Sequence, residues 1–318
     1  MCIASSMESI SLGRSSACSC LGHDSVTTRS AEMRAATTSI APACGVVTAT
    51  IAWPGLGSSA VANPEGEMEK TMGKFVEGTV VGKRRWTERL YSLRVAAEVV
   101  PFHAGQFTKL ALSINGELVG RPYSFINAPG EKPLEFYFIP VPAGPLSPRL
   151  AALEVGDAVW VSPHAAGFLT LAEVPDSKHL WLLSTGTGIG PFLSILKTEQ
   201  PWQRFDRIVL VHAVRQAEEL AYDETIRDFA QQHDKQFRFV PFVSRAEMDF
   251  ALRARIPEAI ADGRLEARAG VALAPENSQV MLCGNPGMVR DTTEALLARG
   301  LKKNRRRDPG HITLENYW

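Results

Sequence analysis

Two hydrophobic patterns divide the chain. From Lys74 to about Ala172, apolar residues come in short runs rich in aromatic and β-branched side chains: "LYSLRVA" (Leu90–Ala96), "FTKLALSI" (Phe107–Ile114), "LEFYFIPV" (134–141) and "DAVWVS" (157–162). Such runs read as strands. With no helical spacers between them, they predict an antiparallel β-barrel. "SINGEL" adds a hairpin, because Asn115-Gly116 supplies the two positive φ angles of a type I′ turn. From Lys178 onward the pattern changes to alternating strand and helix. The strands "HLWLLST", "RIVLVHAV" (Arg207–Val214), "FRFVPFVS" (237–244) and "SQVMLCG" (278–284) are near-continuous apolar runs, as parallel strands buried on both faces must be. Between them "PFLSILKT", "ETIRDFAQQH", "IPEAIADG" and "MVRDTTEALLARG" predict helices; the last carries Val289, Ala295 and Leu296 and stops at Gly300. The second half is therefore expected to be a doubly wound parallel sheet. Its ligand should lie beyond the carboxyl ends of the strands.

The first seventy residues follow neither pattern. They are rich in Ser, Thr, Ala and Gly and read as a disordered extension. Three origins compete. A transit peptide is acid-poor, yet Glu8, Asp24 and Glu32 balance Arg14, Arg29 and Arg34. A secretory signal has an apolar region and a cleavage site, and "SIAPACGVVTATIAW" with "AVA" at 60–62 resembles both, far from Met1. In the third reading the start is over-called and Met68 or Met72 begins the protein, just ahead of the strand-like "KFVEGTVV". The expected organisation is an extension at 1–71, a barrel domain at 72–172 and an α/β domain at 173–318.

Composition narrows the classes. A length of 318 residues suits two domains. A formal net charge of +0 removes the bulk electrostatic case for nucleic-acid binding. No run of 18 apolar residues points to a membrane span. The five cysteines (Cys2, Cys18, Cys20, Cys44 and Cys283) form no C-x-x-C pair and have no zinc or iron–sulfur spacing, so no metal is expected. A reduced, cytoplasmic protein is expected, with an organellar or exported form left open by residues 1–70.

Two stretches of the first half carry candidate chemistry. In "GRPYSFINAPG", Arg121, Tyr123 and Ser124 are read as alternating strand positions. Taken alone this is a strand end with a surface arginine. As a flavin cradle, the tyrosine ring would pack on the isoalloxazine, the hydroxyl would bond near N5, and the arginine would neutralise pyrophosphate. In "GPLSPRL" (144–150), Gly144 opens a turn and Ser147 is expected to cap a helix, leaving backbone N–H groups for phosphate; an ordinary capped helix is the plain alternative.

In the second half, "STGTGIGP" follows the first parallel strand, with glycines at 186, 188 and 190. Its N–H groups and the next helix can meet a pyrophosphate, and Pro191 suits a first helical turn. The spacing is not the G-x-G-x-x-G of dinucleotide folds. Nor does an acidic residue end the second strand to bond a ribose 2′-OH; Val214 is followed by Arg215. Ser244 and Arg245 end the third strand and Arg255 follows on the next helix. Arginines pair bidentately with phosphate, so this set argues for the 2′-phosphate of NADP(H) against scattered surface arginines. Cys283 ends the fourth strand before a glycine that would let a ring approach. A buried core thiol is the default reading, against its place on the ligand edge.

The order "RPYS", "GPLSPRL", "STGTGIGP" resembles the ferredoxin–NADP⁺ reductase family, and more narrowly its bacterial ferredoxin/flavodoxin reductases, from about Met72 to Trp318. The resemblance implies an FAD-binding antiparallel barrel followed by an NADP-binding α/β domain. The FAD set it implies is Arg121, Tyr123, Ser124, Tyr137, Pro145, Leu146, Ser147, Thr187, Tyr317 and Trp318. The NADP set is Gly186, Gly188, Val214, Arg215, Ser244, Arg245 and Arg255; Ser244, Arg245 and Arg255 match the family's 2′-phosphate positions. Ser124, Cys283 and Glu315 are the residues expected nearest the chemistry, hydride transfer between nicotinamide and flavin. The terminal "ENYW" matches one subgroup, which implies an aromatic on the isoalloxazine opposite Tyr123 and one near the adenine; Tyr317 and Trp318 are read in that order, the reverse order and a plain apolar surface patch staying open. The run Arg305, Arg306, Arg307 reads as a docking surface for an acidic ferredoxin or flavodoxin, or as a solvated face. A monomer is expected. Alternatives with the same cofactors are an oxygenase reductase or a free-flavin reductase; a nucleotide-sensing subunit is a third.

Overall fold

The computed structural model describes residues 74–315. The N-terminal extension, its four cysteines, Tyr317 and Trp318 lie outside the described residues. Six strands form the first sheet: β1 (Val76–Thr87), β2 (Leu90–Ala96), β3 (Phe107–Ile114), β4 (Glu117–Ser124), β5 (Leu134–Phe138) and β6 (Ala158–Val161). All pairings are antiparallel, in the order β4-β3-β6-β1-β2-β5. The edges meet. Just past β4, Phe125 bridges Phe136 of β5, and the Ile126 N–H donates to the Glu135 carbonyl at 3.1 Å. That bridge closes the sheet into the expected barrel. Asn115 (φ 54°) and Gly116 (φ 84°) make the β3–β4 turn that their sequence requires.

Inside the barrel, Leu93, Leu110, Phe125, Phe136, Val159 and Val161 are buried together. Helix α1 (Ser147–Ala152) joins them through Leu146 and Leu150. The helix begins differently from the sequence reading. Its N-cap is Leu146, with no side-chain cap. Ser147 is the first helical residue and is buried; its Oγ accepts from the Val141 N–H at 2.9 Å. The hydroxyl fastens the preceding turn, a local bond that competes with capping.

Five parallel strands form the second sheet: β7 (His179–Thr185), β8 (Arg207–Val214), β9 (Phe237–Val243), β10 (Ser278–Cys283) and β11 (Ile312–Leu314), in the order β11-β10-β7-β8-β9. Leu180, Leu182, Ile208, Leu210 and Met281 pack on one face, and Trp181, Leu183, Val209, Val211, Val280 and Leu282 on the other. Two buried faces explain the unbroken apolar runs. The helices are α2 (Gly190–Leu196), α3 (Gln200–Arg204), α4 (Asp223–Gln232), α5 (Ile256–Ala261), α6 (Arg264–Ala269) and α7 (Pro286–Ala298). α3, α6 and β11 were not anticipated, being too short to show a period.

The strand order reverses between β7 and β10, so the carboxyl ends of those two strands form the topological switch point. α2 is buried along its whole length and lies against the barrel. Its Ser194 Oγ donates to the Asn127 carbonyl and accepts from the Gly105 N–H at 3.4 Å. Ile126, Tyr137 and Leu169 of the first half join the same core as Leu182 and Phe192. The junction is a continuous buried core, which fixes the barrel's strand ends against the switch point.

Candidate nucleotide and flavin site

β7 ends at Thr185 and passes through one 3₁₀ turn, Gly186–Ile189, into α2, with Pro191 in the first helical turn. Each glycine has its own task. Gly186 holds φ +52° with open space around it, a backbone need. A Cβ on Gly188 would lie 2.5 Å from the Cys283 carbonyl oxygen and 2.8 Å from Gly284 Cα. One on Gly190 would lie 2.8 Å from Ile126 Cδ1 and 3.7 Å from Ser124 Cβ. Gly188 thus packs the turn onto the end of β10, and Gly190 packs it onto the end of the barrel strand. Gly284 also departs from expectation. The space beside it is filled by Thr185 Oγ1, which would sit 2.2 Å from a Cβ there and accepts from the Asn285 N–H at 3.0 Å.

The ends of β8 and β9 are tied by backbone hydrogen bonds, Ser244 N–H to Val214 carbonyl (3.1 Å) and Arg245 N–H to Arg215 carbonyl (3.0 Å). This lattice places Val214, Arg215, Ser244 and Arg245 side by side. Arg255 is the N-cap residue of α5, after the chain folds back along β9 at Leu252. Arg215, Arg245 and Arg255 are exposed and have no ion pair among the described residues, whereas nearby Arg253 pairs with Glu247 and Arg264 with Asp262. Two acids stand beside the set and both serve backbone: Glu219 accepts from the Arg215 and Gln216 N–H groups (2.8 and 3.1 Å), and Glu258 from the Arg255 N–H (3.2 Å).

On the barrel side, Arg121 and Tyr123 stand opposite Leu110 and Thr108 of β3, and Ser124 opposite Phe107. Arg121 and Tyr123 share one side of β4. Ser124 takes the other, as adjacent strand residues must, which corrects the alternating reading of all three. Ser124 is the residue that faces Gly190. Arg121 is exposed and without an ion pair among the described residues; its Nη1 donates to the Gly120 carbonyl at 2.8 Å. Tyr123 meets Phe138 edge-on, centroids 5.7 Å apart. Burial pushes its phenol up to about 12, partly offset by Arg121, so it stays neutral.

The other expected residues divide between this region and places outside it. Tyr137 points to the opposite side of β5 from Phe138, into a cluster with Trp86 and Tyr222. There burial raises its phenol, and the hydroxyl has no hydrogen-bond partner among the described residues. It is not beside Tyr123. Leu146 belongs to the barrel core and Pro145 is exposed, its carbonyl accepting from Arg149. Thr187 lies within the 3₁₀ turn. Cys283 is fully buried at the end of β10. Glu315 follows β11; its Oε1 accepts from the Phe168 N–H at 3.2 Å, joining the switch point to the barrel loop after β6. Arg306 is already engaged, paired with Glu173 (2.6 Å) and lying over the Phe168 ring (4.7 Å). Its guanidinium holds the Glu173 carboxyl below the ordinary range. Arg305 and Arg307 are exposed without ion pairs among the described residues.

One site residue escaped the sequence reading. His212 of β8 is fully buried, with Nε2 3.0 Å from the Gly186 carbonyl oxygen. Burial pulls its pKa down to about 4 against the opposing pull of the Gly186 bond, so the ring is neutral near pH 7. The signal was present: an ionisable residue inside the apolar run "RIVLVHAV".

A closed antiparallel barrel beside a parallel sheet with a glycine turn at its switch point defines a nucleotide-binding oxidoreductase. Residues 182–294 match the oxidoreductase NAD-binding domain family. The flavodoxin/ferredoxin–NADP reductases of Shigella flexneri and Escherichia coli (strain K12) are each 49% identical over 248 residues, 78% of this chain and 100% of theirs. A ferredoxin NADP⁺ reductase from Neisseria gonorrhoeae, solved with FAD and NADP bound, is 36% identical with a TM-score of 0.73. The match covers 77% of this chain and 99% of that one. The chain belongs to the flavodoxin/ferredoxin–NADP reductase family.

Proposed function

We propose that this protein passes electrons between NADP(H) and a small ferredoxin or flavodoxin by way of FAD. The observation that carries the reading is the meeting of Ser124, at the end of β4, with Gly190, at the start of α2. It brings the Arg121–Tyr123–Ser124 strand end to the nucleotide turn. The groups on each side fit the cofactors. Arg121 has a guanidinium with no carboxylate partner among the described residues, Tyr123 offers a neutral ring, and Ser124 a hydroxyl. Bound FAD supplies the conversion between two-electron and one-electron transfer.

The chain's own groups would then act as follows. The N–H groups of the 186–189 turn hold pyrophosphate, and Arg215, Ser244, Arg245 and Arg255 read the 2′-phosphate. Tyr123 stacks on the flavin, and Ser124 offers a hydroxyl near the reacting edge. Cys283 shapes the nicotinamide end of the pocket. Arg305 and Arg307 steer an acidic carrier, while Arg306 is held by Glu173. The working form is proposed to be a monomer, and its place the cytoplasm, the latter supported by cysteine usage.

Stopped-flow reduction of the flavin tests the assignment. NADPH is expected to reduce it faster than NADH, and equal rates overturn the NADP reading. Protein that stays colourless after incubation with FAD overturns the flavin reading. Cytochrome c reduction that does not depend on added ferredoxin or flavodoxin would favour a different acceptor.

A further inference from the structure

We propose that His212 is a positioning residue for the pyrophosphate turn, aiming its N–H groups at the nucleotide through the Gly186 carbonyl. The inference rests on the nucleotide reading above and adds a residue to it. His212, Ser184 and Cys283 are consecutive partners across β8, β7 and β10, and all three are fully buried. They form a row beneath the turn. Ser184 spends its hydroxyl on the Val211 carbonyl at 2.6 Å. That leaves His212 to reach the turn itself, at 3.0 Å from the Gly186 oxygen.

The chemistry fixes the tautomer. A carbonyl oxygen only accepts, so Nε2 carries the hydrogen and Nδ1 is bare. Nδ1 is buried and has no partner among the described residues. An unmet acceptor there is the cost of placing an imidazole where leucine or valine would pack. The return is orientation. In a planar trans peptide, C=O and N–H point in opposite directions. Drawing the Gly186 carbonyl inward therefore turns the Thr187 N–H outward. The first N–H groups of a helical turn have no partner within it, so they are available to an anion. Gly186, at φ +52° with open space where a Cβ would stand, has no side chain to hold that peptide in place.

The test uses flavin-loaded protein and two ligands. NADP⁺ spans both the turn and the arginines; 2′-AMP carries the 2′-phosphate but no pyrophosphate. Glutamine places its amide nitrogen near the Nε2 position, asparagine falls short of it, and leucine removes the donor. His212→Leu and His212→Asn are expected to weaken NADP⁺ binding by about tenfold, the scale of one lost buried hydrogen bond. Their 2′-AMP affinity should stay within about twofold, and His212→Gln should keep NADP⁺ affinity within about threefold. Unchanged NADP⁺ binding in the leucine variant, or an equal loss for both ligands, overturns the proposal. If the leucine variant does not fold, the Asn/Gln pair decides, and equal NADP⁺ affinities overturn it. Wild-type protein that does not bind NADP⁺ overturns the nucleotide reading itself, a result distinct from either.

Discussion

The two halves of the site are built from different materials. On the barrel the candidate groups are side chains: Arg121 projects from β4 into solvent, and Tyr123 is half-buried against Phe138. On the parallel sheet the turn offers backbone. Gly188 presses on Cys283, Gly190 on Ile126, and Gly186 is held by His212. A side-chain site can lose a residue and keep its fold. A backbone site is itself a packing contact, so its residues serve stability and binding together.

That contrast can be broken at four places. The largest effect is expected at Gly188→Ala, whose Cβ would enter the backbone of the Cys283–Gly284 peptide. A loss of about 3 kcal/mol or more should appear in thermal unfolding; a change under about 1 kcal/mol would mean that the turn yields and the packing argument is wrong. Next is acid stability. His212 is near 6.5 in the unfolded chain and about 4 when folded, so the unfolded state takes up a proton first as pH falls. Its contribution is whole above about pH 6.5 and fades toward pH 4, roughly 3 kcal/mol in all. Urea unfolding of wild type and His212→Gln should differ in slope across that window, and parallel curves would remove the claim.

Smaller effects belong to the side-chain residues. Arg121→Ala should weaken FAD binding by about tenfold while unfolding stays within about 0.5 kcal/mol of wild type. A large stability loss there would erase the distinction between the halves. Arg245→Ala should raise the Kd for NADP⁺ by about tenfold and leave NAD⁺ nearly unchanged, because only the former carries the 2′-phosphate. Isothermal titration with both nucleotides checks this; equal weakening would show a general role in nucleotide binding.

Much of this architecture is legible in the chain. β2, β3, β7 and β8 fall where the apolar runs place them, and Asn115-Gly116 makes its turn, because these signals are local. The short β11 and α6 gave no period to read. Ser147 looked like a cap because its spacing is right; the nearby Val141 N–H claimed the hydroxyl instead. Tyr137 shares a strand with Phe138, but sidedness sends it to Trp86 and Tyr222. The glycines were visible as a motif, while their reasons were not. Two of the three are small because Cys283 and Ile126, distant in the chain, arrive beside them.

By itself the sequence determined the two fold patterns, the turn chemistry and the inventory of arginines at strand ends. Those follow from side-chain periodicity and backbone preference, which act over a few residues. Only the tertiary structure decided that the barrel closes at Phe125 and Phe136, that Ser124 meets Gly190, and that a buried imidazole reaches the Gly186 carbonyl. These are contacts between segments far apart in the chain, and close packing settles them only once both sheets are in place.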